Sequence, residues 1–288
     1  MSSYIVGKLD LRNVDFSEEI EWLNSLPKIH EEYDVFAQGY WKNISLLNAS
    51  GEINDTQFRN CPKTYPTAHL QKCVTIKHFI EDSFAPEALK MVRARNLIDG
   101  MVIPHRDFVE MEENDNCFFR VFMMLEDNDQ AFHSDSSGVF QLRRGEVWFL
   151  DAATDHAAIN FSNSSRMALC LDFIFDKDFN DYDIFEKNII FEKRKATYKK
   201  RIKIDPIEKN EIVAGIASVL SPETFKDMVF ATSKYHFTYE IAVSESYDWL
   251  IDAAQNNKDR QVAEKAMALK NYLITNRGLG ERFSISTW

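Results

Sequence analysis

Between about residues 91 and 176 the chain is written in short apolar runs split by turn-forming residues. MVRARNLI, MVIPHRDFVEM, CFFRVFMMLE, GVFQLRR, EVWFLDA and SRMALCLDFIF are the candidate strands. Side chains alternate across a strand with period two. In the last run, Met167, Leu169, Leu171 and Phe173 alternate with Arg166, Ala168, Cys170 and Asp172. That predicts one wall against the core; if the Arg166 side faces a cavity, its small neighbours there leave room for a ligand. Several short strands with few helices between them predict a sandwich or jelly roll.

Upstream, residues 1–60 are mixed: YIVGKLDL reads as a strand and SEEIEWLNSLPKI as a short amphipathic helix. After roughly residue 205 the period becomes helical. Ile212, Ile216, Val219 and Leu220 fall on one face, and Val262, Ala266, Leu269 and Leu273 repeat at helical spacing. Such stripes predict core packing rather than a cofactor site. In SPETFKDMVF, Ser221 is the expected N-cap and Pro222 the first helical residue. The expectation is an α+β chain, with a β-rich domain over 1–204 and a helical C-terminal domain over 205–288. No internal repeat or low-complexity tract is visible.

Composition narrows the function. The 288 residues are 45% hydrophobic with 22 Phe, enough for a sizeable core, and the formal charge is −11. An acidic chain has no general attraction for phosphate backbones, so a nucleic-acid partner is not expected. The one basic run, KRKATYKKRIK at 193–203, reads as a solvated connector. Cys61, Cys73, Cys117 and Cys170 show neither metal-type pairing nor a disulfide pattern. With no cationic apolar leader and no apolar run of about 18 residues, a cytoplasmic location without membrane attachment is expected.

The candidate chemistry starts at His105 and Asp107. Two residues apart on an extended segment, they leave the same face, where they can hold a metal with a third ligand or simply share a hydrogen bond. Of the seven histidines, His156 stands out because it follows the strand GEVWFLDA inside the β-rich block. A jelly roll gathers such strand ends at its mouth. Two His and one carboxylate leave three octahedral positions open, an arrangement suited to non-haem iron(II) and oxygen. Arg166, ten residues further on, is a natural clamp for the far carboxylate of a 2-oxo acid. The plainer alternative keeps His156 as a satisfied histidine and Arg166 as a salt-bridge partner.

IPHRDFVE, FFRVFMMLED, AFHSD, GEVWFLDAATDHAAINFS and SRMALCLDF resemble the core of the bacterial iron(II)/2-oxoglutarate-dependent free-proline hydroxylases, the L-proline 3-hydroxylase family above all. EEYDVFAQGYWKNISLLNASG at 31–51 and the closing ERFSISTW are similar to that family's two ends. Proline cis-4-hydroxylases share the HRD and GEIWFLDA-type motifs but look more distant at both ends. The wider relatives are aspartyl/asparaginyl β-hydroxylases, so the resemblance implies a double-stranded β-helix, cupin-like core. It implies iron ligands His105, Asp107 and His156, with Arg166 on the distal 2-oxoglutarate carboxylate. His133 is either a second contact to the co-substrate or a loop histidine bonded to backbone. Arg93, Arg95 and Arg120 match family arginines and are candidates for the proline carboxylate, with structural ion pairs as the alternative. Trp41 is a candidate wall for the ring.

The implied reaction is cis-3-hydroxylation of free L-proline with Fe(II), 2-oxoglutarate and O2, stimulated by ascorbate, releasing succinate. Pipecolic acid, peptide- or carrier-bound proline and cis-4-hydroxylation stay open as alternatives. A non-catalytic cupin-like binding protein is the reading from a different class. The helical tail could serve a homodimer contact or brace the barrel.

Overall fold

The computed structural model describes residues 2–29, 35–107, 117–176, 178–257, 259–278 and 281–288. His30, the EEYD of the N-terminal resemblance and the FVEM that follows the HxD motif lie outside the described residues.

The expected first strand and helix are present, as β1 (Tyr4–Leu9) and α1 (Ser17–Ser25). The mixed region that follows holds the long strand β2 (Ala37–Asn48), the short β3 (Tyr65–Pro66) and two helices, α2 (Ala68–Lys72) and α3 (Val74–Ser83). In β2 the alternation is hidden because six consecutive residues from Trp41 are buried, including Lys42, Asn43 and Ser45. Lys42 escapes the usual cost of a buried ammonium by donating to the carbonyls of Leu23, Asn24 and Leu26, which closes the C-terminus of α1.

MVRARNLI and the MVIPH of the next run are not two strands but one, β4 (Leu89–His105). Its first half lies between β2 and β10 (Ala168–Ile174), and its second half between β2 and β9 (His156–Asn160). The change of neighbour happens at a kink where Asp99 has φ +42°. There β4 presses on β2 so closely that a Cβ on Gly100 would sit 1.9 Å from the Gln38 carbonyl oxygen. Only glycine permits that approach. The DG dipeptide looks like a turn in sequence and is a bend within a strand in space.

The remaining strands are β5 (Phe118–Met124), β6 (Ala131–Asp135), β7 (Gly138–Phe140), β8 (Glu146–Phe149) and β11 (Phe191–Glu192). Along the sheet the order is β11-β1-β8-β5-β10-β4-β9-β6-β7, with β2 also on β4, and every named pairing is antiparallel. Because β4 bends, the two arms of the sheet fold over each other. Phe140 of the end strand β7 stacks on Trp148 of β8 with ring centroids 4.7 Å apart. This is the cupin-like jelly roll that the strand pattern and the resemblance predict.

The alternation of β10 holds: Met167, Leu169, Leu171 and Phe173 are wholly buried in one core cluster with Val121, Met123 and Val147. Four helices follow: α4 (Pro206–Val219), α5 (Phe225–Thr232), α6 (Glu245–Asn256) and α7 (Arg260–Lys270). Two details correct the sequence reading. The buried stripe of α4 runs through Val213, Ile216 and Leu220, while Val219 is exposed. Helix α5 starts after Thr224, because Ser221 and Thr224 bond each other's backbone amides across Pro222 and close a turn first. The stripe Val262, Ala266, Leu269 and Leu273 is buried as expected. It belongs to a cluster shared with Met101, Ile103 and Ile159 of the barrel, so the helices cover one arm of the sheet.

Candidate metal centre and its pocket

His105 and His156 are direct partners across the β4–β9 ladder. Directly opposed residues of an antiparallel pair carry their side chains on the same face, with Cβ atoms about 5 Å apart. The two imidazoles therefore meet, with ring centroids 4.2 Å apart. Asp107 arrives just beyond the strand, its amide bonded to the Ala152 carbonyl. Its Oδ1 lies 3.5 Å from His105 Nε2. One ligand atom from each of the three residues lies within 4.8 Å of the others.

The histidine tautomers suit a metal. His105 Nδ1 is 2.8 Å from the Ile103 carbonyl oxygen, and His156 Nδ1 is 3.0 Å from that of Thr154. A carbonyl only accepts, so each Nδ1 carries the proton and each Nε2 presents its lone pair to the centre. Burial, then the neighbouring His156, pushes the His105 pKa down to about 3, against the pull of Asp107. A neutral imidazole is the form that ligates. The donor set, the convergence and the fixed tautomers all fit a divalent metal such as iron.

The triad lies at one side of a cavity of about 90 Å³ between the two arms of the sheet. The Arg166 side of β10 does face this space, beside the small Ala168 and Ala158. Burial lowers the Arg166 pKa to about 10. Among the described residues no ion pair or hydrogen bond holds its guanidinium. A desolvated cation that no described carboxylate engages is poised for a ligand anion. His133 lines the same cavity, and its Nε2 has no hydrogen-bond partner among the described residues. Burial, then His156 and Arg166, holds its pKa well below the ordinary value. Neutral and aimed inward, it is not the backbone-bonded loop histidine of the plainer reading.

Of the other predicted residues, Arg95, Arg120 and Trp41 line the cavity and Arg93 does not. Arg93 shares its strand face with Arg95 but points to Asp172, 2.6 Å away, and that same carboxylate also accepts from Arg120. Burial alone would raise the Asp172 pKa, yet Arg120 and Arg93 overcome it and the carboxyl titrates below its ordinary range. Arg95 sits over the rings of Trp41 and Phe122, 5.9 and 5.6 Å from their centroids. The face of β5 that pairs Arg120 with Phe122 and Met124 is the one turned inward.

Sequence reasoning missed Leu142 and Leu150, which complete the apolar side of the cavity. It also missed Phe36, whose ring packs 5.1 Å from His105. Leu142 and Leu150 sit just outside their strands, where alternation gives no facing. A wider, more open cleft of about 470 Å³ beside Lys199 and Glu240 contains none of the predicted residues.

Fold and site together define a cupin-like protein with a two-histidine, one-carboxylate centre, and the aspartyl/asparaginyl beta-hydroxylase family model matches residues 16–175. A second model, that of the L-proline 3-hydroxylase C-terminal region, matches residues 183–281. The chain is 38% identical over 290 residues to the L-proline cis-3-hydroxylase 2 of a Streptomyces species, and 37% identical to the L-proline cis-3-hydroxylase 1. Both alignments cover 100% of each chain. The L-proline cis-4-hydroxylase of Rhizobium meliloti is 25% identical, with 98% of this chain and 99% of that one covered. The chain belongs to the L-proline 3-hydroxylase family.

Proposed function

We propose that this protein is an iron(II)/2-oxoglutarate-dependent dioxygenase that hydroxylates free L-proline at carbon 3 on the cis face. The observation that carries the reading is the placement of Arg166 in one small cavity with His105, Asp107 and His156. The full-length similarity to two L-proline cis-3-hydroxylases supports the substrate and the position of attack.

His105, Asp107 and His156 would hold the iron, and Arg166 the far carboxylate of 2-oxoglutarate, with His133 as a neutral donor beside it. Bound there, iron supplies the redox chemistry by which O2 oxidatively decarboxylates 2-oxoglutarate to succinate and CO2 and places one oxygen atom in a C–H bond. The chain's own task is orientation. Arg95 and Arg120 offer the positive charge that the proline carboxylate needs once it leaves water. Trp41, Phe122, Leu142 and Leu150 offer an apolar wall for the ring. Arg93, held on Asp172, sets the position of Arg120 through that shared carboxylate. Which ring carbon reacts is then a matter of which one these contacts hold nearest the metal.

The full-length similarity to two L-proline cis-3-hydroxylases favours free L-proline over proline within a peptide or on a carrier. The test is incubation of purified protein with Fe(II), 2-oxoglutarate and ascorbate, with L-proline and pipecolate side by side and NMR analysis of products. The expected result is cis-3-hydroxyproline with an equivalent of succinate. No succinate above background with either substrate would favour a non-catalytic cupin-like binding protein. A cis-4 product would move the assignment to the more distant relative's reaction.

A further inference from the structure

Among the described residues, the helical region makes three hydrogen bonds to the main chain around His105, at Pro104 and Arg106. Tyr247, on α6, donates its hydroxyl to the Pro104 carbonyl at 2.6 Å. The Leu273 carbonyl, after α7, accepts from the Arg106 amide at 2.9 Å. Arg277 donates to the Arg106 carbonyl at 3.1 Å. These bonds flank the His105–His156 ladder pair, where the strand is irregular. The β4–β9 register slips between Val102 and His105, and Pro104 has no amide to offer a ladder. The Ile103 carbonyl is already spent on His105 Nδ1. The bulge turns His105 inward and leaves the carbonyl before it for a partner from outside the barrel. Tyr247 is almost wholly buried, at 1% exposure, so bulk solvent does not compete for its hydroxyl.

We propose that Tyr247 is a positioning residue for the metal centre: its bond to Pro104 fixes the bulge that aims His105 Nε2 at the site, with Arg277 holding the Arg106 carbonyl on the other side of His105. The inference rests on the metal-centre reading above and gives the helical region a role in ligation geometry, beyond covering the barrel. A rigid outer partner of this kind tightens a site by limiting how far its ligands can relax when the metal leaves.

Co(II) added to the metal-free protein serves as the probe, read by its visible absorption and by the rise in melting temperature on binding. Y247F should weaken Co(II) binding about tenfold, the lower end of what losing an outer partner of a metal ligand costs, and alter the absorption band. Its melting temperature should also rise less on Co(II) addition than that of the wild type. T232V removes an equally buried hydroxyl that bonds only within its own helix, to Met228, and should leave affinity and band unchanged. Equal weakening in T232V would mean a general loss of packing and overturn the proposal, as would wild-type affinity and band in Y247F. Should Y247F fail to fold, R277Q carries the same test at the Arg106 carbonyl. Wild-type protein that takes up no Co(II) would overturn the metal reading itself, and the positioning role with it.

Discussion

Arg106 and Asp155 form an ion pair between the residue that separates His105 from Asp107 and the residue that precedes His156. The side chains that point away from the site thus tie together the two strand ends whose other side chains point into it. The pair is partly open to water, with Arg106 at 39% and Asp155 at 19% exposure. Its contribution to global stability should therefore be small, about 1 kcal/mol or less. Its effect on the site should be larger. D155N is expected to cut turnover several-fold and weaken metal binding, while the denaturation midpoint barely moves. A double-mutant cycle with R106Q, read in metal affinity, should show the two changes to be non-additive. Strict additivity would mean that the pair does not act on the centre.

Arg166 should govern the co-substrate. R166A removes the one cavity-facing cation that no described side chain engages, so the 2-oxoglutarate carboxylate would lose a charge-assisted pair worth about 2–3 kcal/mol. The KM for 2-oxoglutarate should rise by roughly a hundredfold, with that for L-proline far less affected. H156A, by contrast, should abolish turnover at any concentration of either. An unchanged 2-oxoglutarate requirement in R166A would remove the assigned role.

The site was more legible in the sequence than the fold around it, and the reason is physical. His105 and His156 are two of only seven histidines, and the HxD spacing and the resemblance tie Asp107 and Arg166 to them. The alternation of Met167 to Phe173 put Arg166 and Ala168 on the face opposite the core wall, and that face lines the cavity. What periodicity could not show was a strand that changes neighbours, as β4 does at Asp99 and Gly100. Nor could it separate Arg93 from Arg95: both share a face, and only the position of Asp172 on β10 turns Arg93 away from the cavity. The supports of His105, namely Phe36 and Tyr247, are distant in sequence and of residue types that ordinarily mean core.

Asp172 is expected to be the most fragile buried position. It is wholly inaccessible and accepts from both Arg93 and Arg120. D172N keeps the shape and removes the charge, leaving two buried guanidiniums against a neutral amide. Breaking a buried pair in this way costs about 3–5 kcal/mol, enough to lower the melting temperature by many degrees or prevent recovery of soluble protein. D172L should not be milder, because both guanidiniums would then lose their hydrogen bonds as well. Urea denaturation of D172N with a midpoint near the wild type's would show that the network contributes little.

His236 should make the fold sensitive to mild acid. It is fully buried, and its Nε2 lies 2.9 Å from Ser134 Oγ on β6, beside His133. Burial first, and then the charge of Arg201, lowers its pKa to about 3. An unfolded histidine protonates near pH 6.5, so between these values the unfolded chain binds the proton and the native chain does not. Stability is then complete above about pH 6.5 and declines as pH falls toward the native value, by roughly 1.4 kcal/mol for each pH unit. By pH 5 this group alone should remove about 2 kcal/mol. His105 and His133 also have lowered values and act with the same sign, so the contribution of His236 must be isolated by difference. H236Q keeps a polar partner for Ser134 and cannot titrate. Plotted against pH between 5 and 7, the unfolding free energy of H236Q should climb less steeply than that of the wild type. Two parallel curves would show that His236 takes up its proton in the native state as readily as in the unfolded chain.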